Sequence, residues 1–300
     1  MENILVTGGA GFIGSHLVKA LVKHGYSVSI IDNLSRGNRQ NIRELIQSVE
    51  FIESDIQDEE ILKYSIKKAD MVFHLSALSR VLPCINDPGL CFRNNIYGTE
   101  LVTRYCTKYA KKMIFSSSRE VYGNSVTLPV HETFSMNPEN PYGASKIAGE
   151  AIIKAFSKTF GLNYFILRLA NVYGFNDFER VIPTFIQKAM TDQDIQIFGG
   201  GQKIDFIFID DVIEAFLKTL NTDTKDKICN IGSGTGTDLK TLAELIIDKL
   251  SSNSKIVFKD PRKGEVEHYI ADITCAKKVL NWEPKFSLDS GIEKVLNQLH

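Results

Sequence analysis

The chain has 300 residues, 43% hydrophobic and 24% charged, which suits one large core or two fused domains and excludes a disordered chain. Its formal net charge of −1 offers no basic field for nucleic acid or an anionic membrane, so a phosphate-bearing ligand has to be held by local groups. Five cysteines (Cys84, Cys91, Cys106, Cys229, Cys275) without a C-x-x-C pair read as reduced thiols, with no disulfide framework and no metal site. No apolar run reaches the roughly 18 residues of a membrane span, and the opening Met-Glu-Asn has no basic leader, so a cytoplasmic protein is expected.

Short apolar runs separated by helical patterns predict parallel strands over 3–7, 27–32, 49–53, 71–75, 112–116 and 164–169. Helices are expected between them over 15–24, 41–45, 59–67, 97–109 and 141–160. The last has Asn140 as N-cap, Pro141 at its first position and Gly161 just past its end. This alternation means an α/β fold, a doubly wound parallel sheet, over 1–170. Beyond it the pattern is less regular: a helix over 182–191, a strand over 195–198, a helix from 211, a strand over 228–231, a helix from 239 and a terminal helix over 288–299. Residues 171–300 are expected to form a smaller, mainly substrate-binding lobe, with some segments returning to the sheet. Gly232-Ser-Gly-Thr-Gly236 lacks a three-glycine spacing and reads as a turn capped by Asp238 or Thr237.

Between the first strand and first helix stands Gly8-x-x-Gly11-x-x-Gly14, the pattern of a Rossmann phosphate-binding turn. Gly8 makes the turn, Gly11 lets backbone N–H groups approach a pyrophosphate, and Gly14 lets the helix pack close. Asp32 ends the second strand, where a carboxylate binds a ribose 2′-OH and repels a 2′-phosphate, so NAD is expected over NADP. Asp55-Ile56 is placed to cap the adenine edge. His74 is assigned to packing beside the cofactor, which Ala77 approaches closely.

Tyr142-Gly-Ala-Ser-Lys146 puts a phenol and an ammonium four residues apart, on one face of the 141–160 helix. A tyrosine works as a base near neutrality only if its pKa falls from about 10 toward 7, roughly 4 kcal/mol in favour of phenolate. One cation about 4 Å away at an effective dielectric of 20 supplies a similar amount. Lys146 is the expected cation, with an oxidised nicotinamide adding positive charge. Ser116-Ser117-Ser118 ends a strand at the same sheet edge, where a hydroxyl can share the substrate proton.

These segments, with Asn95-Ile-Tyr-Gly-Thr99, Val121-Tyr-Gly123, Arg168-x-x-Asn171-Val-Tyr-Gly174, Arg262-Lys-Gly-Glu265, Tyr269-Ile-Ala-Asp272 and Leu280-Asn-Trp-Glu-Pro284, resemble the extended short-chain dehydrogenase family of nucleotide-sugar epimerases and dehydratases. The resemblance implies Ser118, Tyr142 and Lys146 as the catalytic group. For NAD it implies Gly8, Gly11, Phe12, Ile13, Gly14, Asp32, Asn33, Asp55, Ile56, Leu75, Ala77, Asn95 and Ser116 beside Tyr142 and Lys146. It further implies Arg119, Glu120, Asn171, Arg180, Val181, Arg262 and Tyr269 as substrate contacts, Asn171 and Arg262 near the diphosphate. A homodimer through the 97–109 and 141–160 helices goes with it.

Members of that family share C4 oxidation of the sugar by NAD and differ in the fate of the 4-keto sugar. Dehydratases carry Asp and Glu after the catalytic hydroxyl; here Arg119 replaces the Asp, and a cation cannot serve as that acid. Glu120 matches decarboxylases and dehydratases, or is a structural partner of Arg119. Tyr269 resembles epimerases restricted to plain hexoses. The family's Gln-x-Arg-Asp-aromatic segment reads Gln202-Lys-Ile204-Asp-Phe206, so one diphosphate Arg is missing, with Lys203 or Arg180 as substitutes. The expected activity is an NAD-dependent nucleotide-sugar 4-epimerase on UDP-glucose and UDP-galactose. The alternatives are a UDP-glucuronate 4-epimerase or decarboxylase, with Arg119 or Arg80 on the carboxylate, and a non-catalytic NAD-binding sensor.

Overall fold

The computed structural model describes every residue except Met1, Val126, Glu179, Asp223, Lys263, Glu265 and His300. In chain order it runs β1 (Asn3–Thr7), α1 (Phe12–Lys23), β2 (Ser27–Asp32), β3 (Val49–Glu53), α2 (Glu59–Lys68), β4 (Met71–His74), α3 (Val81–Asn86), α4 (Pro88–Phe92), α5 (Gly98–Lys108), β5 (Lys112–Ser118), α6 (Pro141–Phe160) and β6 (Tyr164–Leu169). There follow β7 (Asn171–Tyr173), α7 (Val181–Met190), β8 (Ile195–Phe198), β9 (Lys203–Phe208), α8 (Ile209–Lys218), β10 (Lys227–Ile231), β11 (Gly236–Asp238), α9 (Leu239–Leu250), β12 (Ile256–Lys259), β13 (His268–Tyr269), α10 (Thr274–Leu280) and α11 (Leu288–Asn297).

Seven strands pair in the order β10-β6-β5-β4-β1-β2-β3, all parallel. Successive strand residues face opposite sides, so two cores form from one sequence run. Ile4 and Val6 of β1 join Leu17, Val18 and Leu21 of α1 on one side, while Leu5 joins Leu62, Leu101 and Ile153 of α2, α5 and α6 on the other. The strand order reverses between β1 and β4, and such a switch point opens a crevice at the carboxyl ends of the strands. The rest is built around β9, which pairs β7, β11 and β13, and a separate β8-β12 pair. Among the described residues no helix is long and apolar enough to cross a membrane.

The helix over 141–160 is α6, with the Asn140 side chain accepting from Gly143 N at 2.9 Å and Gly161 in the left-handed region at φ 76°. Other expected boundaries move. The first helix begins at Phe12, the 41–45 segment is a 3₁₀ turn over Arg39–Leu45, and α5 follows a π turn over Arg93–Tyr97. The strand expected over 112–116 continues to Ser118. Strands β7, β9, β11, β12 and β13 and helices α3, α4 and α10 were outside the sequence expectation. Asp205 on β9 explains one of these omissions: its carboxylate is fully buried, accepting from Ser233 N and Oγ at 2.7 Å and from Gly234 N and Ala271 N at 3.0 Å. It is a fastening inside the lobe. The Gly232–Gly236 turn sits on it, and Asp238 caps α9 as expected, accepting from Thr241 N at 2.8 Å.

One expectation is corrected. Cys229 on β10 and Cys275 on α10, 46 residues apart in sequence, form a disulfide, and only Cys84, Cys91 and Cys106 are free thiols, all buried. Spacing along the chain carries no trace of that pairing.

The α6 helix is locked to the sheet by charge. Glu150, with a fully buried side chain, accepts from Arg168 Nε at 2.8 Å and Nη2 at 2.6 Å and from Ser117 Oγ at 2.6 Å. Arg168 Nη1 donates to the Tyr122 hydroxyl at 2.7 Å and the Glu132 carbonyl at 3.0 Å. Removing one partner strands a buried charge. Glu150→Ala is therefore expected to lower unfolding free energy by about 3–5 kcal/mol. Urea titration measures it, and Glu150→Leu combined with Arg168→Met should recover much of the loss.

Candidate active site

A cleft of about 1210 Å³ opens at the carboxyl ends of the sheet strands, lined by the glycine turn, the end of β2, the loop after β4, the end of β5 and the start of α6 and α7. Gly8 has φ 74°, and a Cβ there would lie 2.8 Å from Ser76 N; a Cβ on Gly14 would lie 2.1 Å from Gly8 O. Only glycine fits either place. The N-cap of α1 is Gly11, which offers no side-chain oxygen, so the first-turn N–H groups at Phe12, Ile13 and Gly14 are available to an anion.

Asp32 lies on the cleft with Oδ2 accepting from Ala10 N at 2.9 Å and Oδ1 from Leu34 N at 2.8 Å. Burial pushes its pKa up, and these two donors pull it back. The fixed carboxylate still has lone pairs for a ribose diol. Asn33 donates to Asp55 Oδ2 at 2.7 Å, and Asp55, Ile56, Leu75, Ala77 and Ser116 complete the wall. This cradle suits a dinucleotide. His74 is fully buried, bonded to Thr7 Oγ1 at 2.8 Å and Thr99 Oγ1 at 3.0 Å, and burial takes its pKa down to about 3; it packs as a neutral ring.

Asn95 departs from its expected role. Its side chain is consumed inside the protein, accepting from Leu78 N at 2.7 Å and donating to Ser145 Oγ at 2.9 Å, and it does not line the cleft. It ties the loop after β4 to α6 instead.

At the reacting end, Ser118 closes β5 and hydrogen-bonds the Tyr142 phenol. Lys146 is buried, donates to Ser116 O at 2.8 Å, and lies 4.7 Å from the Phe115 ring centroid and 5.8 Å from that of Tyr142. Burial drives the Tyr142 pKa up, opposed by the Ser118 hydrogen bond and the charge of Arg180. Burial brings the Lys146 ammonium down to about 8. This corrects the expectation that Lys146 lowers the phenol's pKa: desolvation prevails, and the principal opposing cation is Arg180. The amine is aimed at the Ser116 carbonyl.

Arg119 and Glu120 form a buried pair on the cleft wall, Nη2 to Oε1 at 3.0 Å. Arg119 Nε donates to Asn171 Oδ1 at 2.9 Å, and Glu120 Oε2 accepts from Asn140 Nδ2 at 2.8 Å. Arg180, at the start of α7, donates to Val172 O at 3.1 Å and pairs with Asp177 at 3.4 Å; Val181 lies beside it on the wall. Arg262 stacks 3.8 Å over the Phe198 ring. Of the substitutes for the missing diphosphate Arg, Arg180 reaches the cleft and Lys203 does not, while Ile204 lines it. Gln202 is spent on its own turn, Oε1 accepting from Gly200 N at 2.7 Å. Lys263 and Glu265 of the Arg262–Glu265 motif lie outside the described residues.

Tyr269 is corrected. Its side chain is fully buried and absent from the cleft wall, stacked on Tyr122 at 5.9 Å between centroids with the Arg119 guanidinium 5.9 Å from its ring. It supports Arg119 from behind and cannot gate a sugar substituent from there. Among the wall residues that escaped the sequence reading, two pack against the cations of the cleft. Asp177 is buried and its pKa rises to about 6; its signal was the i, i+3 spacing to Arg180. Phe198, under Arg262, had none.

Known proteins share this arrangement. The sequence model of the NAD dependent epimerase/dehydratase family matches residues 4–232. A Methanocaldococcus jannaschii protein, provisionally named a UDP-glucose 4-epimerase, is 39% identical over 98% of this chain and 97% of its own length. The crystal structure of UDP-glucose 4-epimerase with UDP-glucose from Thermotoga maritima superposes with a TM-score of 0.94 at 36% identity, covering 99% of this chain and 98% of that one. UDP-glucuronic acid 4-epimerase from Bacillus cereus, in complex with UDP-glucuronic acid and NAD, gives 0.93 at 30% identity over 99% and 100%. With its glycine cradle, Asp32 and Ser118-Tyr142-Lys146 group, the chain belongs to the NAD dependent epimerase/dehydratase family and uses NAD as its cofactor.

Proposed function

We propose that this protein is a UDP-sugar 4-epimerase interconverting UDP-glucose and UDP-galactose. The observation that carries the reading is Ser118, Tyr142 and Lys146 together on the cofactor cleft, with Arg119 where an eliminating enzyme needs an acid. Glu120 has both oxygens engaged, by Arg119 and Asn140, so the carboxylate beside Ser118 is held as a structural partner.

The Tyr142 oxygen takes the proton of the sugar C4-OH, with the Ser118 hydroxyl bridging the two. When bound, NAD supplies reversible acceptance of a hydride from C4. The 4-keto sugar turns its other face, and the return of hydride and proton gives the inverted alcohol. Burial keeps the proton on the Tyr142 phenol, so the oxygen accepts the C4 proton only from its ionised form, which the charge of Arg180 and the positive charge of a bound oxidised nicotinamide would favour. Lys146, fixed on the Ser116 carbonyl, orients the ribose and phenol. Arg180 and Arg262 hold the diphosphate while the sugar turns.

Incubation with UDP-galactose should yield UDP-glucose without net NAD consumption; absence of C4 inversion with every UDP-sugar tested would overturn the reading. Tyr142→Phe should cut kcat by about 100- to 10,000-fold, the usual worth of a general acid–base. Its urea midpoint and NAD binding should stay near wild type, since only a hydroxyl is lost.

The charge on Lys146 also sets a pH profile. Its ammonium is present below about 8 and is lost as pH rises through that value, so kcat/KM should fall along an alkaline limb near pH 8. Folding stability should run the other way. The buried cation is disfavoured in the native state relative to the unfolded value of 10.5, so Lys146 adds stability as pH climbs from about 8 to 10.5. Rate profiles and urea melts over that interval check both signs, with Lys146→Met as the control for the melt.

A further inference from the structure

We propose that Cys229, Cys275 and Glu132 form a redox-gated site for one thiophilic divalent cation of the Zn²⁺ type, closed while the cysteines are a disulfide and open once they are reduced. None of the three lines the cofactor cleft, so the site is independent of the epimerase reading. It joins three segments: Cys229 belongs to β10, Cys275 to α10, and Glu132 to the connection between β5 and α6. The two sulfurs and a carboxylate oxygen all lie within 4.8 Å of one another.

The carboxylate is the second observation that points to a ligand. The Glu132 side chain is only 9% exposed. Its Oε1 accepts from Asn230 N at 2.7 Å, while Oε2 is buried with no hydrogen-bond partner among the described residues. His131 Nε2, 3.6 Å from Oε2, pairs with it only when the imidazole is protonated. A buried acceptor left unmade is costly, the more so when it carries charge, and a cation shared with the sulfurs removes that cost. Glu132 is also held in place from outside, since Arg168 Nη1 donates to its carbonyl at 3.0 Å. Bonds of this kind, one of them on the far carboxylate oxygen, are what aim a metal ligand.

The donor set chooses the cation. Thiolates select zinc-like ions over magnesium or calcium, and a carboxylate is an ordinary partner for them on zinc. With Zn–S about 2.3 Å and Zn–O about 2.0–2.2 Å, donors on one tetrahedral ion stand roughly 3.5 Å apart, so these atoms need only small shifts once the S–S bond opens. Cys275 is half-buried, which leaves an entry on its side and a place for water at the fourth corner. A dithiol gives the S–S bond two electrons and two protons and leaves as its own disulfide. The cation then binds both sulfurs as thiolates and releases the two protons to water. Oxidation of the thiolates by a disulfide closes the bond again and expels the cation.

The test offers Zn²⁺ to the full-length, NAD-loaded protein in two forms, one left oxidised and one reduced by a phosphine, which opens the disulfide and becomes its oxide. After gel filtration, elemental analysis should find about one zinc per chain in the reduced form and none above background in the oxidised form. Co²⁺ in place of zinc should give the sulfur-to-cobalt charge-transfer band and the intense visible bands of a tetrahedral site. Glu132→Gln keeps an acceptor for Asn230 N and should weaken zinc binding about tenfold or more. Cys229→Ser and Cys275→Ser should each end retention through gel filtration. No zinc on the reduced protein, or equal zinc on both forms, overturns the proposal. Undiminished binding in either serine variant assigns the metal to Cys84, Cys91 or Cys106 and overturns it as well, as does wild-type affinity in Glu132→Gln. The comparison of reduced with oxidised protein needs no variant, so it decides even where the substitutions prevent folding.

Discussion

The buried contact between Glu150 and Arg168 is the constraint on which the site depends. Glu150 sits one turn past Lys146 on α6, and Arg168 belongs to β6, so their two hydrogen bonds at 2.6 and 2.8 Å fix the helix against the sheet. Ser117 on β5 joins them. Because β5 ends at Ser118 and α6 begins just ahead of Tyr142, this one clamp sets the distance between the Ser118 and Tyr142 hydroxyls. A hydrophobic contact would dock the helix as firmly but would leave it free to slide. Directional bonds to a carboxylate do not.

Burial governs the electrostatics of the cleft as it governs the fold. It raises the phenol of Tyr142, lowers the ammonium of Lys146 and keeps His74 neutral at any physiological pH. Each shift favours the uncharged form of its group on or beside the cleft. The charges on Asp32, Arg119 and Arg180 are held by fixed hydrogen-bond partners.

The sheet was legible because each buried strand is a short apolar run punctuated by a turn, and α6 was legible to the residue because Asn140, Pro141 and Gly161 mark both ends. The glycine turn and the Ser118, Tyr142 and Lys146 group were legible because their chemistry needs those residue types at those spacings. The side of a wall on which a residue faces is a different matter. Asn95 and Tyr269 sit in segments whose neighbours reach the cleft, yet their own side chains are spent on Leu78 and Ser145 in one case and stacked on Tyr122 in the other. Strand β9 was hidden because its buried Asp205 breaks the apolar pattern, and its reason for burial lies in backbone N–H groups 28, 29 and 66 residues away. The Cys229–Cys275 pair is likewise a fact of three dimensions.

The edge strand β10 has a consequence for how the protein is made. It pairs with β6 from Phe165↔Lys227 to Leu169↔Ile231, yet it is translated nearly 60 residues later. While the ribosome is still synthesising the intervening lobe, β6 presents an unpaired backbone edge, and Arg168 has Glu150 and Tyr122 but Tyr122 lacks Asn230, its acceptor at 2.6 Å. Ser118, Tyr142 and Lys146 have all been synthesised by then, on a sheet whose border is still open. Completion waits for the second half of the chain, so the nascent protein passes through an interval in which its chemistry is encoded and its edge is sticky.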